Sequence, residues 1–396
     1  MTLALLTLMS VGCSDSHGSE APSRGAEPSS TAHHDGGSAA SATRLDGAAS
    51  DAGSARRPGD SDSGAGHASD ARAASAASTD ASASSGVPGA TDADASAVST
   101  LADASTRPAS KKFVGNTTTR GQVRTDFATL WDQITPENEG KWGSVESSRN
   151  QMNWAGLDRV HDYAKQHGLV FKQHNFVWGS QQPSWLTGLS ASEQRAEVEE
   201  WIRLFCERYP DVALIDVVNE PPPHTTPVYL DALGGAGSSG YDWIVQAFKW
   251  SGQYCPNAVL ILNDYNNIEY SGEATHFIDI AKKVKAAGAP IDALGAQSHD
   301  AYKLPTATVM AFVDKLASET GLPVYITEYD INEADEQKQA DIMTSQMTMF
   351  WQHGAVKGVT LWGYVSGATW QANTGLMTEA GQQRAAMKWL LKFLGR

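Results

Sequence analysis

Ala213-Leu-Ile-Asp-Val-Val-Asn-Glu220 is the stretch on which the fold turns. Its aliphatic and β-branched residues predict a buried strand, Ala213 to Asn219, and the run ends on an amide followed by a carboxylate. Seven more short runs of this kind flank it: Lys112 to Asn116, Asp132 to Thr135, Leu169 to Asn175, Ala258 to Asp264, Ala293 to His299, Val324 to Glu328 and Val359 to Gly363. Amphipathic stretches separate most of them, at Asn153 to His167, Ala191 to Arg208, Tyr241 to Tyr254, Glu273 to Ala287, Thr306 to Thr320 and Ala334 to His353, with a closing stretch from Gln382 to Leu394. Eight strands with intervening helices in one segment predict an α/β fold, a (β/α)8 TIM barrel, rather than an open doubly wound sheet. No dinucleotide fingerprint follows the first strand, which weighs against the open sheet.

The barrel occupies only part of the chain. Between Ser14 and Ser110, 70 of 97 residues are Ala, Ser, Asp or Gly, and the large aliphatics are Leu45, Val87, Val98 and Leu101. Such a segment cannot bury enough apolar surface to offset the entropy of ordering it, so residues 14–110 are expected to be a disordered linker. The first aromatic residue is Phe113, and residues 111–396 hold all 12 Trp, 11 Tyr and 10 Phe of the catalytic domain expected there. Ahead of the linker, residues 1–13 form a short apolar segment ending in Cys13, too short to span a bilayer. It resembles a lipoprotein signal peptide, although no Lys or Arg precedes its apolar run and Ser10 stands where Leu is usual. The expectation is an exported protein, secreted or held at the outer membrane through a lipidated Cys13, with the linker as spacer. An ordinary secretory signal or a misplaced start codon is the other reading.

The net charge of −15 comes with no basic run, which excludes nucleic acid and anionic lipid as expected partners and favours a neutral one. No Cys/His pair has zinc spacing and no glycine-rich phosphate loop occurs, so no metal or cofactor is expected. Cys206 and Cys255 fall near the ends of successive predicted helices. A disulfide is open to them if those helices are neighbours, and export favours it; two separately buried thiols is the alternative.

In a (β/α)8 barrel the chemistry lies at the C-terminal ends of the strands. Here those ends are polar: Thr135-Pro-Glu-Asn-Glu-Gly-Lys-Trp142, His174-Asn-Phe-Val-Trp178, Asn219-Glu220, Asn263-Asp-Tyr-Asn266, Gln297-Ser-His299, Thr327-Glu-Tyr-Asp330 and Trp362-Gly363. One Asn-Glu pair after a strand is usually a helix cap. Two Glu at the mouths of the fourth and seventh strands, amid amide, imidazole and indole groups, are the pair that acetal hydrolysis needs: a proton for the leaving oxygen and an anion against an oxocarbenium-like centre. An ionised Glu328 is expected to raise the Glu220 pKa by like-charge repulsion.

These fragments, in this order, resemble glycoside hydrolase family 10, the endo-β-1,4-xylanases. The resemblance implies retaining, endo-acting cleavage of β-1,4-xylosidic bonds in xylan, with Glu220 as general acid/base and Glu328 as nucleophile; a monomer is expected. It further implies sugar contacts from Glu137, Asn138, Lys141, His174, Trp178, Gln181, Asn219, Gln297 and His299, with Trp362 and Trp370 closing over the sugar. Asn219 is expected to donate to the sugar 2-hydroxyl, and His299, two residues beyond Gln297 and so on the same strand face, to hold Glu328 in place. A related β-1,4-glucanase and a non-catalytic polysaccharide-binding barrel are the alternatives. Three features depart from the pattern: Gly179 where His is usual, Ser366 where Asp is usual, and Pro221-Pro-Pro-His224 directly after the expected acid. The first two leave no orphaned polar group if they face one another. The prolines stiffen the loop on the leaving-group side.

Overall fold

The computed structural model describes residues 111–396. The expected signal segment 1–13, Cys13 with its lipidation, and the linker 14–110 lie outside the described residues. Eight parallel strands close into a barrel in sequence order: β1 (Phe113–Thr117), β2 (Gln133–Thr135), β3 (Val170–Trp178), β4 (Leu214–Asn219), β5 (Val259–Asp264), β6 (Ala293–Ala296), β7 (Val324–Tyr329) and β8 (Val356–Leu361), with β1 pairing both β2 and β8. Short helices α1 (Phe127–Leu130) and α2 (Trp142–Val145) precede the main outer set, α3 (Ala155–His167), α4 (Ala191–Arg208), α5 (Asp242–Tyr254), α6 (Ser271–Ala286), α7 (Thr306–Thr320), α8 (Glu336–Gln352) and α9 (Ala385–Leu394).

Local chemistry sets these boundaries. Ser190 and Glu193 form a reciprocal capping box at the start of α4, and the Asp335 carboxylate accepts from Gln337 N and Lys338 N at the start of α8. Such a cap typically contributes about 1 kcal/mol. Nearly every strand residue is buried, because helices cover the outer face while side chains fill the interior.

That interior changes character along the barrel axis. At the N-terminal end Phe113, Leu214, Ile261, Ala293 and Tyr325 pack into an apolar floor, with the Phe113 and Tyr325 rings 6.0 Å apart. Toward the C-terminal end the inward residues turn polar: Gln133 accepts from Thr360 Oγ1 at 2.8 Å, and Lys172 Nζ donates to Asp216 at 2.9 Å. The floor is a packed hydrophobic layer and the mouth is a hydrogen-bonded one.

Most strand ends fall within a residue of the expectation, but β8 runs from Val356 to Leu361 where Val359 to Gly363 was expected, and β3 and β6 also differ. β3 continues to Trp178 instead of stopping at Asn175, and β6 ends at Ala296 rather than His299. Ser298 has φ +68°, which breaks the alternation of faces beyond Ala296, so Gln297 and His299 do not share a strand face. Cys206, on the last turn of α4, is joined to Cys255, just after α5, by a disulfide with Cα atoms 5.2 Å apart.

Candidate active site

Glu220 and Glu328 both border one cleft of about 660 Å³ at the C-terminal mouth of the barrel. Of the other expected residues, Glu137, Asn138, Lys141, His174, Trp178, Gln297, His299, Trp362 and Trp370 line the same cleft. Asn219 and Gln181 do not. Asn219 is buried behind the carboxylates, while Gln181 sits beside Asn138, with Nε2 3.4 Å from its Oδ1, and borders a neighbouring groove.

Glu328 ends the inward run of β7 and is 4% exposed. Its Oε1 accepts from Asn263 Nδ2 at 2.9 Å, its Oε2 lies 3.4 Å from His299 Nε2, and His174 Nδ1 is 4.0 Å away. Burial alone would raise its pKa, but His174, the hydrogen bond and charge of His299, and Lys172 outweigh burial and hold the carboxyl at about 2. Glu328 is therefore a carboxylate at any ordinary pH. Asn263 reaches it because β6 carries Gly295 opposite: a Cβ there would lie 2.2 Å from Asn263 Oδ1. Thr327 Oγ1 donates to that Oδ1 at 2.6 Å and so orients the amide.

His299 lies between two carboxylates, its Nδ1 3.2 Å from Asp330. Burial opposes its charge, yet Asp330 and Glu328 raise its pKa to about 10, so the ring is an imidazolium. Asp330 Oδ2 also accepts from Trp370 Nε1 at 2.5 Å, which ties a half-exposed indole on the β8 loop to the same chain of contacts.

Glu220 is held differently. It follows the last residue of β4 with φ +49°, a left-handed conformation costly for a residue with a Cβ and often kept at functional sites. Its backbone N–H donates to Asn263 O at 2.9 Å, and its carbonyl accepts from Thr225 Oγ1 at 2.7 Å. Two neutral donors grip the carboxylate: Trp178 Nε1 at 2.8 Å and Gln297 Nε2 at 3.0 Å. Gln297 also donates to Asn219 Oδ1, which takes a second hydrogen bond from Asn263 Nδ2. With its oxygen committed twice, Asn219 keeps its buried Nδ2 without a protein acceptor.

On the opposite wall Lys141 Nζ donates to Asn138 Oδ1 at 3.0 Å and lies 5.1 Å from the centre of the Trp178 ring. Burial lowers the Lys141 pKa against the pull of Glu328 and Glu137, and burial raises Glu137 against the pull of Lys141. Trp362 packs edge-on against His174 at 5.1 Å, and Trp370 lies 4.6 Å from His299.

The space beside Gly179 is filled by the loop after β4, not by Ser366. A Cβ on Gly179 would lie 2.5 Å from Thr226 N and 2.8 Å from Thr225 Cβ. Lys172, Asp216, Asn263 and His224 carry roles that the sequence did not assign to them. Lys172 donates to Asp216 Oδ2, which also holds His174 Nδ1 at 2.9 Å, so the pair braces an imidazole of the cleft from behind. The available signal was a charge inside each of two otherwise buried strands.

The comparisons with known proteins agree with this geometry. The family model described as glycosyl hydrolase family 10 matches residues 99–392. Endo-1,4-beta-xylanase B of Cellvibrio japonicus is 48% identical over 281 residues, which are 71% of this chain and 45% of that protein, so the chain spans under half of that relative's length. Endo-1,4-beta-xylanase A of Phanerodontia chrysosporium is 29% identical over 288 residues, covering 67% of this chain and 68% of that one. Native xylanase 10B of Thermotoga maritima superposes with a TM-score of 0.63 at 23% identity, over 72% of this chain and 95% of that chain, a likeness of fold. A (β/α)8 barrel with two glutamates at the mouths of β4 and β7, matched by the family model over most of its length, belongs to glycosyl hydrolase family 10.

Proposed function

We propose that the chain hydrolyses internal β-1,4-xylosidic bonds of xylan with retention of configuration. The observation that carries this reading is the unequal treatment of two carboxylates in one cleft. Glu328, kept ionised by His299 and Asn263, attacks the anomeric carbon and forms a glycosyl ester. Glu220, at the strand end, gives its proton to the leaving oxygen, then takes one from the water that opens the ester. The unpartnered Asn219 amide donates to a sugar hydroxyl as charge develops on the ring, and Trp178, Trp362 and Trp370 offer apolar faces to pyranoses. Glu137, Asn138 and Lys141 supply polar partners for the glycone side. Export, with anchoring through Cys13, completes the proposal, since a polymeric substrate lies outside the cell.

Reducing-sugar release from xylan, cellulose and mixed-linkage glucan tests the substrate, and xylan is expected to be preferred. NMR of the first-formed anomer from a xylo-oligosaccharide tests the mechanism: the β product is expected, and an α product would reject retention.

A further inference from the structure

The loop that departs most from the family pattern, Pro221-Pro-Pro-His224, leads away from Glu220 toward β5 and α6. His224 does not point into solvent. Its ring stacks on Tyr265 with centroids 3.8 Å apart and planes 15° from parallel. Nδ1 meets Asp264 Oδ1 at 2.7 Å and Nε2 lies 3.3 Å from Glu273 Oε2. Asp264 Oδ1 also accepts from the backbone N–H of Tyr265 at 2.9 Å, so one carboxylate sets both rings of the stack. From α6, His276 Nε2 donates to Pro222 O at 3.0 Å and fastens the proline run to the same wall. Tyr265 and its neighbour Asn266 border the cleft on the β5 side, away from Glu137, Asn138 and Lys141. A ring backed on one face and edged by the cleft suits the apolar face of a pyranose, provided that it cannot swing.

We propose that His224 is a positioning residue for the leaving-group side of the cleft, holding Tyr265 as the platform on which a leaving-group xylose rests. The proposal rests on the xylanase reading given above. Both imidazole nitrogens face carboxylates, Asp264 beside Nδ1 and Glu273 beside Nε2, so the ring is held between β5 and α6. Support of this kind serves sugars beyond the scissile bond and leaves the attack on the anomeric carbon to Glu328.

The test compares xylohexaose, which fills the leaving-group side, with β-xylobiosyl fluoride, whose leaving group is a single atom and leaves that side empty. His224→Ala and His224→Asn, the second keeping a donor for Asp264 while removing the flat ring, are each expected to lower kcat/KM on xylohexaose roughly fivefold, chiefly through KM. On the fluoride they are expected to stay within about twofold, which also shows that the variants are folded. Tyr265→Ala should show the same asymmetry, and adding His224→Ala to it should cost nothing further. Equal losses on both substrates would mean that the variants disturb Glu220, and multiplying losses in the double variant would mean that His224 does not act through Tyr265. Full activity of His224→Asn on xylohexaose would deny the ring its part. Each of these results overturns the proposal while leaving the xylanase reading standing. A wild-type enzyme inactive on both substrates would overturn the two together.

Discussion

Glu328 and Glu220 border the same cleft, yet the protein holds them by opposite means. Glu328 lies within a strand, buried, with an imidazolium at 3.4 Å and an amide at 2.9 Å. Glu220 lies one residue past a strand, half-buried, in a left-handed backbone conformation, and its carboxylate meets only an indole and an amide. Positive charge around a carboxylate stabilises its anion and makes it a poor acid. The indole and the amide each donate to one oxygen of Glu220 and fix the direction of its carboxylate. One cleft therefore holds two glutamates in different surroundings, Glu328 beside a charged ring and Glu220 between neutral donors.

Removing each carboxylate in turn is expected to have the largest effect. Glu328→Ala is expected to lose on the order of 10⁴-fold or more in kcat/KM on every substrate, because no other group supplies the attack. Glu220→Ala is expected to lose about 10²- to 10⁴-fold on xylan while an aryl xylobioside with a good leaving group still forms the ester. Azide should then release the β-xylosyl azide from the Glu220 variant and the α-azide from the Glu328 variant. The reverse pattern would exchange the roles.

The charge around Glu328 has a smaller effect, read through pH. The Glu328 carboxyl is depressed below its ordinary 4.5 to about 2, so its contribution to stability is present above pH 4.5 and lost as pH falls toward 2. His299, raised from 6.5 to about 10, contributes fully below pH 6.5 and loses that contribution as pH rises through 10. His299→Asn removes one positive charge, and the acid limb of kcat/KM for an aryl xylobioside is expected to move up by about one pH unit. A wild-type limb already near pH 4.5 would show that the nucleophile is not held down as described.

The smallest effect concerns the loop that carries Glu220. Gly179→Ala puts a methyl group 2.5 Å from Thr226 N, and overpacking of this kind costs about 1–3 kcal/mol. Thermal unfolding should register a fall of roughly 2–6 °C. The acid limb set by Glu328 should stay where it is, since β7 is untouched.

Most of the barrel was legible because each parallel strand, covered on both faces, reads as a short apolar run with a polar end. The edges were less so. β6 stops at Ala296 because Ser298 turns left-handed, a local choice that strand propensity does not encode, and the partnership of His299 with Glu328 therefore arises from a loop rather than from strand alternation. The short helices α1 and α2 lie below the length at which periodicity is informative. Glu220 and Glu328 were readable from strand order, whereas Asn263 needed the space left by Gly295 on the next strand, a relation between residues 32 positions apart in sequence. Lys172 meets Asp216, and Asp216 meets His174, across β3 and β4, so their sense appears once the strands are paired.

The bond between Cys206 and Cys255 spans a sequence separation of 49 residues, and that interval contains β4, Glu220, the proline loop and α5. A protease that nicks the chain anywhere inside this interval leaves both fragments covalently attached. Such clipped molecules would migrate as one band on a non-reducing gel and fall apart into two only after a thiol is added, so damage to the region bearing the acid stays hidden from any assay of size that omits reductant.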